Sequence, residues 1–98
     1  MAHFVILCTD VPNSAEKRNA TRAQHLQYLT SLGSKLRLAG PFTTEEGKTM
    51  TGSMLLVETE TIEEAREIAA GDPYGPAGVF ANVEVKPWRW VITDGKLV

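Results

Sequence analysis

The chain is short of the features that assign a protein quickly. It has one cysteine in 98 residues, Cys8, so no internal disulfide can form. Its two histidines and that cysteine are widely spaced and make no metal-ligand motif, so no metal site is expected. The apolar stretch Met1 to Cys8 is too short for a membrane span or a signal core. It has no basic flank, and Asp10 follows it, so a buried strand in a cytoplasmic protein is expected. The net charge is -2, and no basic run is longer than Lys17-Arg18, which argues against a nucleic-acid or membrane partner. Glycine-rich phosphate loops, HExxH, GxSxG and CxxC are all missing, so no cofactor is expected.

What is present is a regular alternation of elements in one domain, residues 1–98. Residues 3–9 read as a strand rich in Phe, Val and Ile, and Asp10 to Ser14 breaks it. The first helix has two possible starts. Ser14 with Lys17 makes no capping box; Thr21 with Gln24 fits one, and the later start is taken here. Leu26, Leu29, Leu32 and Leu36 form its apolar stripe, with Gly33 ending or interrupting the helix. A short strand at Gly40-Pro41-Phe42 and a polar hairpin loop lead to a third strand over 52–58. There Met54-Leu55-Leu56-Val57 implies burial on both faces. Thr61 and Glu64 form a capping box for the second helix, which buries Ile62, Ala65, Ile68 and Ala69 and stops at Gly71. Residues 79–90 read as the last long strand, with Pro87 marking an edge or an end, and Asp94-Gly95 as a turn. The order is βαββαβ: an α+β, ferredoxin-like pattern with an antiparallel sheet and two helices on one face. Two helices cover only one face of the sheet, so a homodimer packed sheet to sheet is expected.

Arg18, Arg22, His25 and Leu29 share one helical stripe. With the late start, His25 lies near the end of helix 1 that meets Asp72, just past helix 2. With the early start it lies roughly 15 Å further down, at ~1.5 Å per residue, and the pairing fails. A paired His-Asp moves protons near neutral pH; it also serves as an ordinary structural tie. Arg22 can hold an anionic group, Ser53 can donate a hydrogen bond, and Tyr74 offers a ring and a hydroxyl. Gly75-Pro76-Ala77-Gly78 reads as turn chemistry. Trp88 and Trp90 are spaced to face one side of a strand, as a core or dimer contact, with stacking on an aromatic ligand as the alternative. In an enzyme reading the aromatics of this strand wall a pocket between helices and sheet.

The ordered segments Arg22-x-x-His25-Leu26, Ala39-Gly40-Pro41, Gly52-Ser53, Asp72-Pro73-Tyr74, Ala77-Gly78-Val79 and Val85-Lys86-Pro87 resemble the YciI family, the YCII-related domain. The resemblance runs over nearly the whole chain. It implies a ferredoxin-like fold that dimerises into an α+β barrel, as in small enzymes related to muconolactone isomerase. It also implies His25 and Asp72 as the catalytic pair. One family member is a dehydrochlorinase acting on a chlorinated hydroquinone. The expectation is a small enzyme moving a proton on a small cyclic or aromatic substrate by elimination or isomerisation. Arg22, Ser53 and Tyr74 would hold that substrate. The alternative is a non-catalytic ligand-binding or accessory module.

Overall fold

The computed structural model describes all 98 residues. Its elements are β1 (Ala2–Asp10), α1 (Ala15–Ser31), β2 (Leu36–Thr43), β3 (Met50–Thr59), α2 (Ile62–Ala70) and β4 (Phe80–Trp88). A small hairpin, β5 (Ile92–Thr93) and β6 (Lys96–Leu97), follows. The four long strands form one antiparallel sheet in the order β2-β3-β1-β4. Both helices lie on one face, giving the α+β, ferredoxin-like arrangement that the sequence pattern implies.

Strand alternation decides what each face buries. Phe4, Ile6 and Cys8 of β1 and Leu55 and Val57 of β3 point at the helices and meet Ala65 and Ile68 of α2. Fully burying one such aliphatic or aromatic side chain is worth about 1.5 to 3 kcal/mol, so this cluster anchors the layers. Leu56 faces the other way and is still buried, so β3 is apolar on both faces as its sequence implies. β4 is an edge strand, and Pro87 lies one residue from its end. The two helices sit differently. α2 lies close on β1, β3 and β4, whereas α1 stands further from the sheet.

The start of α1 corrects the sequence reading. The helix begins at Ala15 after Ser14, and Thr21 is a buried residue in its interior. Ser14 makes no side-chain cap. Its hydroxyl donates instead to Asp10 Oδ2 at 2.7 Å, and Arg18 pins the first turn to the same carboxylate. A tertiary tie fixes this helix start, and capping-box spacing does not report such ties. The helix ends at Ser31, and Gly33, with φ of +59°, turns the chain through a short 3-10 segment into β2. Leu29, Leu32 and Leu36 pack against the core from three different local structures, while Leu26 is exposed. β2 begins at Leu36 and is longer than the three residues Gly40-Pro41-Phe42.

At α2, Thr61 Oγ1 accepts from the Glu64 N–H at 3.2 Å, which is half of the expected capping box. The Glu64 carboxylate turns to Lys35 Nζ, 3.3 Å away. Gly71 ends this helix with φ of -81°, which any residue adopts. Its value lies in space: a Cβ there would strike the Tyr28 hydroxyl, which donates to the Ile68 carbonyl at 2.7 Å. No helix is long and apolar enough to cross a membrane.

Candidate active site

His25 and Asp72 meet. The Nδ1–H of His25 donates to Asp72 Oδ1 at 2.8 Å, and both side chains are buried. An ionised carboxylate only accepts, so the shared proton belongs to Nδ1 and leaves Nε2 unprotonated in the neutral ring. The ring makes no other hydrogen bond within the protein. Asp72 is held in turn: the Tyr74 N–H donates to the same Oδ1 at 3.0 Å. This is an Asx-type turn, for which the sequence Asp-Pro-Tyr is suited.

The early helix start does not separate the pair, contrary to the sequence argument. The expected separation holds only if α2 finishes level with the start of α1. α1 has 17 residues and α2 only 9. At ~1.5 Å per residue they span roughly 25 and 13 Å, and they run antiparallel. The short α2 therefore stops about halfway along α1, at the level of His25. Tyr28, nearly one turn further on, reaches the last turn of α2 by its bond to Ile68.

Tyr74 is buried, and its ring stacks on His25 with centroids 3.9 Å apart and planes 10° apart. Phe80 meets the Tyr74 ring edge-on at 5.9 Å. The Arg18 guanidinium lies 5.0 Å from the Tyr74 ring centroid, within cation–π range. The Tyr74 hydroxyl is turned to the Arg18 carbonyl, at 3.5 Å the long limit of a hydrogen bond. Burial raises the Tyr74 phenol above its ordinary range, against the lowering pull of Arg18 and Arg22.

Arg18 is the residue the sequence reading left out of the site. It is buried, and it spans α1, β1 and β3. Its Nε and Nη2 grip both oxygens of Asp10, at 2.6 and 3.0 Å, in a bidentate pair. Nη2 also donates to the Gly52 carbonyl and to Ser53 Oγ, each at 2.9 Å. Burial works against its charge, but the hydrogen bond and charge of Asp10 outweigh this and hold the guanidinium more firmly protonated than usual. Arg18 shares the stripe of Arg22 and His25, which was the available signal. Its partner Asp10 reads in sequence as a mere strand breaker.

Between α1 and the β2–β3 side of the sheet lies a pocket of about 250 Å³. Arg18, Arg22, His25, Ser53 and Tyr74 all line it, together with Leu26, Leu29, Pro41 and Met54. Every sequence-nominated site residue is thus at or beside one cavity; Asp72 stands behind His25. Arg22 is exposed and does not pair with Asp72. The pocket exists because α1 stands off the sheet on polar side chains while α2 packs tightly.

Trp88 and Trp90 do not wall this pocket, which corrects the sequence expectation. β4 ends at Trp88, so Trp90 lies outside the strand, and the two indoles pack edge to face at 4.8 Å. Trp88 pairs with His3, and Trp90 meets the His3 ring at 6.1 Å, on the helix-free face. The Gly75 to Gly78 segment is a hydrogen-bonded turn and contributes nothing to the pocket. Cys8 lies in the core beneath the site. Burial pushes its thiol up to about 12, with Asp72 and Asp10 adding to the effect. No group of three His, Cys, Asp or Glu side chains is placed to share a metal ion.

Known proteins resemble this chain along most of its length. An uncharacterised protein of Haemophilus influenzae is 41% identical over 96 residues, covering 91% of this chain and 98% of that one. Protein YciI of Escherichia coli is 38% identical over 95 residues, covering 90% and 97%. The solved structure of 5-chloro-2-hydroxyhydroquinone dehydrochlorinase (TftG) from Burkholderia phenoliruptrix, in complex with 2,5-dihydroxybenzoquinone, superposes with a TM-score of 0.79. It is 36% identical, and the match covers 89% of this chain and 93% of that one. The family model of the YCII-related domain matches residues 2–89. The chain belongs to the YCII-related domain family.

Proposed function

We propose that this chain is a small, cofactor-independent enzyme that moves a proton on a small cyclic or aromatic substrate. The observation that carries the reading is the buried His25–Asp72 pair at the wall of a mixed polar and apolar pocket. In this reading Nε2 of His25 is the base. Asp72 holds the ring in the Nδ1–H form and stabilises the imidazolium once the proton arrives. Tyr74 fixes the plane of the imidazole by stacking and fixes Asp72 through its backbone N–H. Arg22 and Ser53 hold the substrate. The resemblance to a dehydrochlorinase supports elimination as the reaction type. From the keto tautomer of such a ring, in which chlorine sits on a tetrahedral carbon, an adjacent C–H or a conjugated O–H proton passes to Nε2, its electron pair forms the new π system, and chloride leaves with the electrons of the C–Cl bond.

The working unit in this proposal is a homodimer of the whole 98-residue domain. Leu38, Phe42 and Trp88 are exposed and lie on the helix-free face of the sheet, where a second copy would cover them.

The test is chloride and proton release from 5-chloro-2-hydroxyhydroquinone and from a panel of chlorinated phenols and small lactones. Wild type is expected to turn over at least one of them. His25→Asn is expected to lose about 10²- to 10⁴-fold in rate, the usual share of a general base, measured below its own melting temperature because Asp72 loses its buried partner. Wild-type protein inactive across the panel would instead make the pair a structural tie in a binding module.

A further inference from the structure

The charge around the pocket is one-sided. Arg18, Arg22 and His25 line it, and no Asp or Glu does. Arg18 is matched by Asp10. Arg22 is different: it stands at the same wall and forms no ion pair with any carboxylate of the chain. Ser53 is also half-used. Its oxygen accepts from Arg18 Nη2, while its own O–H has no acceptor in the protein. With Arg18 occupying one side of the oxygen, the hydroxyl proton is free for something in the pocket. The rest of the lining is mostly apolar, with Leu26, Leu29 and Leu55 among it. A cavity of about 150 Å³ already holds a benzene ring, so the ~250 Å³ here has room for one substituted ring.

We propose that the ligand of this pocket is a single-ring monoanion, an aromatic carboxylate or phenolate, whose charged oxygen is bound by Arg22 and Ser53. This rests on the reading of the pocket as the substrate site, and adds the charge and size of what enters it. Arg22 is exposed and without a carboxylate partner, so one negative charge on the ligand gains one charge-assisted contact there. An oxygen anchored there also gives the ring a fixed orientation against His25, which a purely apolar ligand would lack.

Binding tests this without any turnover. Benzoate is compared with benzamide, and 4-nitrophenolate with 4-nitroanisole, following the methyl NMR signals of Leu26, Leu29 and Leu55. At least one anion is expected to shift these signals and to bind tenfold or more tightly than its neutral partner, roughly the effect of one charge-assisted contact. Arg22→Gln is expected to erase that preference, Arg22→Lys to keep part of it, and Ser53→Ala to weaken the anion more than the neutral probe. His25→Asn is expected to retain the preference. Neutral probes binding as well as the anions, no probe shifting the signals, or a preference surviving in Arg22→Gln would each overturn the proposal. Loss of the preference in His25→Asn would move the binding charge to the imidazolium and overturn it too. Selective anion binding in a protein that turns nothing over would defeat the proton-transfer reading and leave this one standing.

Discussion

Single residues divide here into those that face the pocket and those that hold the facing ones still. Arg18 belongs to both groups. Its guanidinium is buried against Asp10, Ser53 and the Gly52 carbonyl, and removing one member of a buried charged pair strands the other. Arg18→Met is expected to cost about 3 to 5 kcal/mol in a denaturant titration, with Asp10→Asn close behind. Cys8 gives a prediction with a definite sign. Its folded thiol titrates near 12 instead of 9.0, so above pH 9.0 the unfolded chain releases a proton that the folded chain keeps. The thiol's contribution to stability is therefore complete below pH 9.0 and is lost as pH rises towards 12. Cys8→Ala should flatten the alkaline fall in stability by up to about 1.4 kcal/mol per pH unit, one proton's worth, as read by denaturant melts of both proteins across that range. A thiol reagent should likewise leave Cys8 unmodified until the protein unfolds.

Among the elements, the helix ends decide where the site forms. Gly71 lets α2 end against Tyr28, and Gly52 lets β3 approach the Cys8 carbonyl, where a Cβ would overlap backbone. Gly52→Ala has no flexible neighbour to give way and is expected to cost about 1 to 3 kcal/mol, as overpacking does. Gly71→Ala is expected to cost a similar amount through the Tyr28–Ile68 hydrogen bond, and Tyr28→Phe should relieve part of the clash in the double variant, a non-additivity that a double-mutant cycle measures. Local signals placed α2 well, because the Thr61 cap acts within four residues. They misplaced the start of α1. Ser14 and Arg18 both bind Asp10, and a contact eight residues long leaves no periodic trace. The strand alternation of β1 and β3 was legible because one face is core. The wall given to Trp88 and Trp90 was not, because β4 ends between them.

At the scale of the whole molecule, one face of the sheet builds the site and the other stays open. Leu38, Phe42 and Trp88 share that open face and are 49, 44 and 41% exposed. Sedimentation is expected to give a particle of twice the chain mass, and Phe42→Glu together with Leu38→Glu to reduce it to the monomer; a monomeric wild type would remove the dimer from the account. The site itself was legible as a set of residues but not as a geometry. His25, Asp72, Arg22, Ser53 and Tyr74 were each chosen from sequence, while their meeting depends on the unequal lengths of two antiparallel helices. That meeting joins residues 47 positions apart, and the proposed chemistry depends on which imidazole nitrogen it leaves free. The deciding measurement is the ¹⁵N NMR spectrum of the His25 ring at alkaline pH, in wild type and in Asp72→Asn. A wild-type ring protonated on Nδ1 with a bare Nε2, converting to mixed tautomers in Asp72→Asn, is the expected result. A wild-type ring protonated on Nε2 would contradict the account, since the pocket would then face a donor where it requires a base.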